Sequence, residues 1–200
     1  MKKSKFIRIY ITFLIVCLVP GGCKNKAIHA QIPEECHGNK RQYSVKLEDG
    51  KYKVDDALVY NNQNLNCLLS EIDTAELRQS DKKTDIPYAM KVFLDSLSLG
   101  EFRIADPNEE YQSGCIAFHN LPVRKLIYLG LSSDYVLMSY YSGGFASNIH
   151  VMIVKLKGNK VIDFWCGYSW IEKADKSAIV EKIQEMKKKE WGVNTNILTF

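Results

Sequence analysis

The sequence predicts an α+β domain with a four-stranded antiparallel meander in its C-terminal half. Four runs rich in Val, Ile, Tyr, Phe and Leu predict the strands, at residues 124–131, 135–141, 148–156 and 160–168. The links between them are short and polar or contain glycine, which favours antiparallel neighbours because a parallel partner needs a long crossover. Helical apolar stripes on either side need a surface to cover, so we expect helices packed toward one face of the sheet.

Upstream of the meander, the pattern predicts a hairpin and two helices. Alternating apolar residues within 41–48 precede an Asp-Gly turn signal at 49–50, which indicates a hairpin or a strand leading into a helix. Apolar residues three and four positions apart predict a helix over residues 64–78. Asp85 is a suitable cap for a second helix, which should end before Gly100.

A last helix is predicted after the meander. Asp175 or Ser177 can begin it, because both residue types cap helix N-termini. Its charged residues fall on one side, and its apolar stripe consists of Ile179, Val180, Ile183 and Met186. We expect this stripe to cover the sheet, because an amphipathic helix must bury its apolar face.

The first 23 residues have the features of an export signal. Residues 2–8 contain four basic side chains, residues 9–19 form an apolar run, and small residues precede Cys23. The run suits a signal and is shorter than the ~18 residues of a permanent membrane helix. This segment resembles the signal and lipobox of bacterial lipoproteins, with Pro20 where that family usually has leucine.

The resemblance implies that the signal is cleaved immediately before Cys23 and that the cysteine sulfur carries a lipid. Its new amino terminus would be acylated, for example with palmitate, and the protein would be attached to a membrane of a bacterial cell envelope. The protein would then sit in the outer membrane, facing the periplasm or the cell surface. Cleavage after Ala30 and an uncleaved signal anchor are the alternatives. The predicted organisation is a signal peptide over 1–22, a lipidated cysteine and flexible tether over 23–38, and a single domain over 39–200.

The charge balance argues against nucleic acid as a partner. The chain holds 27 Lys+Arg and 23 Asp+Glu, but residues 1–22 contain four of the basic residues and no acidic one. The remaining chain therefore has 23 of each, and the basic pI belongs to the predicted signal. A neutral domain lacks the positive field that draws proteins to polyanions.

Four cysteines remain in the predicted mature domain: Cys36, Cys67, Cys115 and Cys166. An even number in an exported chain predicts two disulfides, because the periplasm is oxidising. Four cysteines allow three pairings, of which we favour Cys36 with Cys67 and Cys115 with Cys166. Buried free thiols are the alternative. The histidines are scattered and no C-x-x-C occurs, so no metal site or cofactor is predicted.

Catalytic and calcium motifs have little support in the sequence. Residues 106–117 place oxygen ligands at alternate positions, but Tyr111 and Ala117 stand where an EF-hand needs glycine and glutamate. Cys166 and His150 are the minimum for a cysteine nucleophile, yet no third residue is identifiable that would orient them.

Aromatic residues at the end of the meander predict a binding surface, made of Tyr141, Phe145, Trp165, Tyr168 and Trp170. Exposed Tyr and Trp supply rigid contact area at interfaces and can stack on sugars. The alternative is that these residues form the sheet's own packing against its helices.

These features favour a membrane-tethered, non-catalytic lipoprotein that binds another envelope protein or a glycan. An inhibitor or immunity-type protein directed against an envelope toxin or enzyme is one alternative. A small envelope hydrolase is the other, because catalytic groups can be assembled from distant parts of a sequence.

Overall fold

The computed structural model describes residues 33–36, 41–98, 100–114, 120–144, 148–169 and 175–187. Within these ranges the chain is an α+β structure, as predicted, with seven strands and four α-helices around one hydrophobic core. The predicted signal peptide, Cys23 and most of the predicted tether lie outside the described residues. No helix in the described ranges is both long and apolar enough to cross a bilayer.

A hairpin of β1 (Val45–Glu48) and β2 (Lys51–Val54) opens the domain. Asp49 and Gly50 connect the strands with positive φ values of 50° and 74°. Tight hairpin turns need such values, which glycine adopts without strain and aspartate tolerates. The Asp-Gly signal therefore predicted this hairpin correctly.

Two helices follow the hairpin, α1 (Asp56–Tyr60) and α2 (Leu65–Thr74). The sequence analysis missed α1, a five-residue helix whose N-terminus is capped by Asp55 accepting a hydrogen bond from the Leu58 amide at 3.1 Å. The helix predicted over residues 64–78 corresponds to α2 but is shorter, because Ala75 adopts an extended conformation and ends it.

The remaining helices are α3 (Tyr88–Leu97) and α4 (Lys176–Met186). The prediction that Asp85 caps α3 is wrong: Asp85 ends a separate 3-10 turn, and its carboxylate accepts a hydrogen bond from Ser80 Oγ at 2.8 Å. Asp175 does cap α4, because its carboxylate accepts from the Ala178 amide at 2.8 Å.

The larger sheet consists of β3 (Arg78–Ser80), β4 (Arg124–Leu131), β5 (Tyr135–Ser142), β6 (Asn148–Lys157) and β7 (Lys160–Ser169). All its strands are antiparallel and neighbours in the sheet follow chain order, β3-β4-β5-β6-β7. The four predicted strands are confirmed as β4 to β7. The fifth strand, β3, has three polar residues and no apolar pattern that could have predicted it.

Both faces of this sheet are covered, so the prediction that the helices pack toward one face is wrong. Every residue from 136 to 140 in β5 and from 151 to 154 in β6 is buried. Neighbouring side chains in a strand point to opposite faces, so burial of consecutive residues requires cover on both sides.

The helices are divided between the two faces. Phe93 of α3 meets Phe164 edge-on, with ring centroids 5.1 Å apart. Glu71 of α2 binds Lys155 at 2.7 Å. Phe164 pairs with Val154, the neighbour of Lys155, so Phe164 and Lys155 point to opposite faces. Thus α3 lies on one face, and α2 with its neighbour α4 lies on the other.

At Phe164, the backbone on the outer edge of β7 is bonded by side chains rather than by another strand. Ser44 Oγ accepts from the Phe164 amide at 2.9 Å and lies 3.0 Å from its carbonyl oxygen. Asn64 Nδ2 donates to the same carbonyl at 2.9 Å. The backbone of an edge strand is thereby satisfied locally.

One predicted disulfide is present, between Cys36 and Cys67, with Cα atoms 5.3 Å apart. It joins the start of the described domain to α2. The predicted bond between Cys115 and Cys166 is not formed: Cys166 is a fully buried free thiol on β7, and Cys115 lies outside the described residues. Cys166 packs inside the core as a small apolar residue.

Candidate functional site

The structure divides the predicted aromatic surface. Trp165 is not part of any surface, because its side chain is fully buried and its indole N–H donates to Asn62 Oδ1 at 2.8 Å. Its position next to buried Phe164 on β7 places it in the core on the α2 face. Phe145 and Trp170 lie outside the described residues.

The two remaining members, Tyr141 and Tyr168, are half-buried and point to opposite faces of the sheet. Tyr168 pairs with His150, which pairs with Tyr140, whereas Tyr141 is the next residue along β5. Tyr141 stacks on Tyr111 with ring centroids 6.3 Å apart. These two tyrosines therefore cannot form one continuous face.

A row of polar aromatic groups crosses the sheet on the α3 face. The rings of Tyr140 and His150 stack at 5.2 Å, and His150 meets the ring of Tyr168 edge-on at 4.8 Å. Tyr140 and His150 are buried, at 1% and 6% exposure. His150 Nδ1 makes no hydrogen bond within the described part of the chain, and the Tyr140 hydroxyl faces the Cys166 thiol.

Arg124, at the start of β4, adds an unpaired positive charge to this region. The residue is 7% exposed and forms no ion pair with any described residue. Among the described residues, its side chain makes one hydrogen bond, a long one of 3.4 Å, to the carbonyl oxygen of Arg103. The ring of Phe102 lies 4.5 Å from the guanidinium carbon and also meets Tyr140 edge-on at 6.0 Å.

Burial controls the protonation of the groups around Arg124. Desolvation, together with the charge of Arg124, lowers the pKa of His150 to about 4. Desolvation raises the pKa of Cys166 to about 12 and that of Tyr140 well above its ordinary value. At neutral pH all three are uncharged, so Arg124 carries the charge of this group alone.

These pKa directions argue against the cysteine nucleophile that the sequence suggested. A catalytic thiol needs a lowered pKa, and its base needs a pKa near neutrality with a partner that orients it. The pKa of Cys166 is instead raised, and the pKa of His150 is lowered away from neutrality. His150 Nδ1 also has no orienting partner among the described residues. No described cluster of His, Cys, Asp and Glu could hold a metal ion.

A cavity of about 610 Å³ lies on the solvent side of Phe102. Half of its fourteen lining residues are charged, among them Lys91 and Asp95 of α3. Its apolar lining includes Ile86, Phe102, Ile104 and Leu121. Phe102 thus separates this cavity from Arg124 and Tyr140. The cavity has the size of a small-molecule site.

A second buried arginine, Arg41, has the opposite environment on the α2 side. It binds Glu71 directly and donates to Asp163 Oδ2 at 2.8 Å. Lys155 also binds Glu71, at 2.7 Å, so two cations face two carboxylates. Ser44 further donates to Asp163 Oδ1 at 2.8 Å. We call the group of Arg41, Glu71, Lys155 and Asp163 the charge cluster.

The sequence analysis missed both arginines. The one available signal for Arg124 was a charged residue at the start of an otherwise apolar strand, and strand ends often carry such residues at no cost. Phe102 gave no signal, because it precedes the meander in a segment with no periodicity. Comparisons with family models, curated proteins and solved structures find no match to this chain.

Proposed function

We propose that this chain is an exported, lipid-anchored binding protein of a bacterial cell envelope whose folded domain is not catalytic. The observation that carries the proposal is the Cys36–Cys67 disulfide. Disulfides persist in oxidising compartments and are rare in the cytosol. The bond therefore supports the export that the first 22 residues predict.

The position of the disulfide also suits a tethered domain. Cys36 follows Cys23 by thirteen residues, which span about 40 Å when extended. A covalent bond at Cys36 holds the start of the domain to α2. Tension on the tether would then act on a cross-linked segment rather than on a free end.

The absence of catalysis is proposed from the protonation of the groups on the α3 face. Cys166 stays a thiol and His150 stays a neutral imidazole at neutral pH. The thiol is then not a nucleophilic thiolate, and an imidazole with a pKa of about 4 is too weak a base to take the proton of a thiol with a pKa of about 12. The hydrolase alternative gains nothing from this pair, whereas a binding role requires neither a thiolate nor a general base.

Acyl labelling tests the anchor. The full chain is expressed in a bacterial host with a palmitate analogue, beside the variants Cys23→Ser and Cys17→Ser. We expect label in the wild type and in Cys17→Ser, the matched control within the signal, and none in Cys23→Ser. Label that survives Cys23→Ser, or an intact leader by mass spectrometry, would contradict the proposal.

Binding to an envelope protein or glycan is tested separately, at the part of the predicted surface that is partly exposed. The detergent-extracted full chain is used to capture envelope components, beside Tyr141→Ala, Tyr168→Ala and the control Tyr88→Ala. Tyr88 is 82% exposed on α3, away from the predicted surface. We expect loss of a captured component in at least one of the first two variants only. If both retain everything the wild type captures, the predicted surface is wrong.

A further inference from the structure

The uncompensated charge of Arg124 requires an explanation, because buried charges are normally paired. The residue is more than nine-tenths buried, and its guanidinium makes one long hydrogen bond to a backbone carbonyl. Contact with Phe102 compensates it only in part. Within the described residues, the fold thus keeps a cation out of water without supplying a counter-ion.

His150 Nδ1 lacks a partner in the part of the chain that the structure describes, and it is buried beside Arg124 on the α3 face. The ring of Tyr140 stacks on His150, and its hydroxyl faces the Cys166 thiol. The guanidinium of Arg124 has several N–H groups without a partner among the described residues. A buried cation with free N–H donors has the chemistry of an anion site.

The cavity beyond Phe102 provides room for the rest of a ligand. Phe102 lines the cavity and also lies against the guanidinium of Arg124. A shift of this one aromatic ring would connect the two spaces. Ile86, Ile104 and Leu121 give the cavity apolar contact surface, and half of its fourteen lining residues are charged. The cavity therefore suits a ligand body that has both apolar and polar groups.

We propose that Arg124 binds the carboxylate of a small ligand whose body, partly apolar and partly polar, occupies the Phe102 cavity. The planar fork of a guanidinium matches a carboxylate in two parallel hydrogen bonds. A single cation balances the single charge of a carboxylate, whereas a phosphate dianion would need a second one. This inference goes beyond the proposed function, because it holds whether or not Cys23 carries lipid.

Benzoate is the probe, and benzyl alcohol is its uncharged counterpart. The ring resonances of His150 report binding in NMR titrations of the full chain, and a His150→Leu spectrum assigns them. We expect saturable shifts with a Kd of about 1–10 mM for benzoate, as suits a ligand of this size, and none for benzyl alcohol. A carboxylate beside His150 should also raise its pKa above about 4.

Three arginine variants decide whether Arg124 is the cation. Arg124→Met should weaken benzoate binding at least tenfold, whereas Arg78→Met, at an exposed arginine, should leave it unchanged. Arg124→Lys keeps the charge but loses the fork, so it should bind benzoate more weakly than the wild type, and it serves if Arg124→Met does not fold. No saturable shift in the wild type, or equal affinity in wild type, Arg124→Met and Arg124→Lys, would overturn the proposal.

Discussion

The two buried arginines of this domain differ in what surrounds them. Burial acts to lower the pKa of both guanidinium groups. At Arg41, hydrogen bonds to Asp163 and Glu71 outweigh burial, and the pKa is raised above its ordinary value. At Arg124 burial prevails and the pKa is lowered. The same side chain is thus stabilised in one place and left uncompensated in the other.

The difference separates a structural role from a binding role. The charge cluster connects the segment before β1 with α2 and with β7, through bonds between residues as far as 122 positions apart. Arg124 connects no distant elements by ion pairs within the described residues. We infer that Arg41 holds the fold together, and that Arg124 is available for a ligand. Four predictions test this contrast.

The largest effect is expected for Arg41→Met. Removing Arg41 leaves Asp163 buried without its ion-pair partner, and breaking a buried pair from one side costs about 3–5 kcal/mol of unfolding free energy. Urea unfolding measures it. Arg78→Met is the control, because the exposed pair of Arg78 and Asp85 should contribute at most about 1 kcal/mol. If Arg41→Met lost as little unfolding free energy as Arg78→Met, the structural role proposed for Arg41 would be wrong.

The disulfide should stabilise the Arg41 side by a similar amount. The bond spans 31 residues, and a loop of that length gives about 3–4 kcal/mol in the chain-entropy account. Cys67 lies one turn before Glu71 on α2, so reduction should lower amide protection in α2 more than in β4. Hydrogen exchange with and without reductant measures this, and the double variant Cys36→Ser/Cys67→Ser should not respond to reductant. If reduction lowered amide protection equally in α2 and β4, the disulfide would not act specifically on the Arg41 side.

Acid should destabilise the Arg124 side through His150. Arg124, Tyr140 and Tyr168 face this imidazole, and its pKa falls from 6.5 to about 4 in the folded state. The unfolded chain binds the proton more readily, so stability is lost as pH falls from about 6.5 to 4, by about 3 kcal/mol. From pH 6.5 to 4 the wild type should therefore lose about 3 kcal/mol more unfolding free energy than His150→Leu. Parallel pH profiles would refute this.

The smallest effect is expected for Arg124→Met, with urea unfolding as the measurement. No carboxylate among the described residues would lose its partner, and a buried charge would be replaced by an apolar side chain of similar length. The free energy of unfolding should stay within about 1 kcal/mol of the wild type or rise. A loss as large as that of Arg41→Met would mean that Arg124 has a counter-charge, and the contrast between the arginines would fail.

The sequence was sufficient for the parts of the fold that depend on local signals. Strands β4 to β7, the turn at Asp49 and Gly50, and the cap at Asp175 all follow from neighbouring residues. The sequence also contains a signal that both faces of the sheet are covered. Residues 136–138 and 151–154 are continuous apolar runs, typical of strands buried on both sides. Reading them as ordinary antiparallel strands led to the wrong helix placement.

The candidate site was much less predictable, because its members become neighbours only through tertiary contacts. Phe102 and Arg124 are 22 positions apart, and nothing in either segment indicates contact. His150 was noticed, but for a nucleophilic pair with Cys166 that burial disfavours. Solvent exclusion sets these pKa values, and a sequence contains no direct measure of it. Trp165 was misplaced for the same reason.

The hydrogen bonds of Ser44 and Asn64 to the Phe164 backbone affect how copies of this protein interact at high concentration. A sheet that ends in a strand with free N–H and C=O groups can recruit a strand from another molecule and grow into a fibril. Ser44 and Asn64 interrupt the β7 edge at Phe164, and the three-residue β3 offers little length at the other edge. Copies packed side by side at high local density should therefore remain separate molecules.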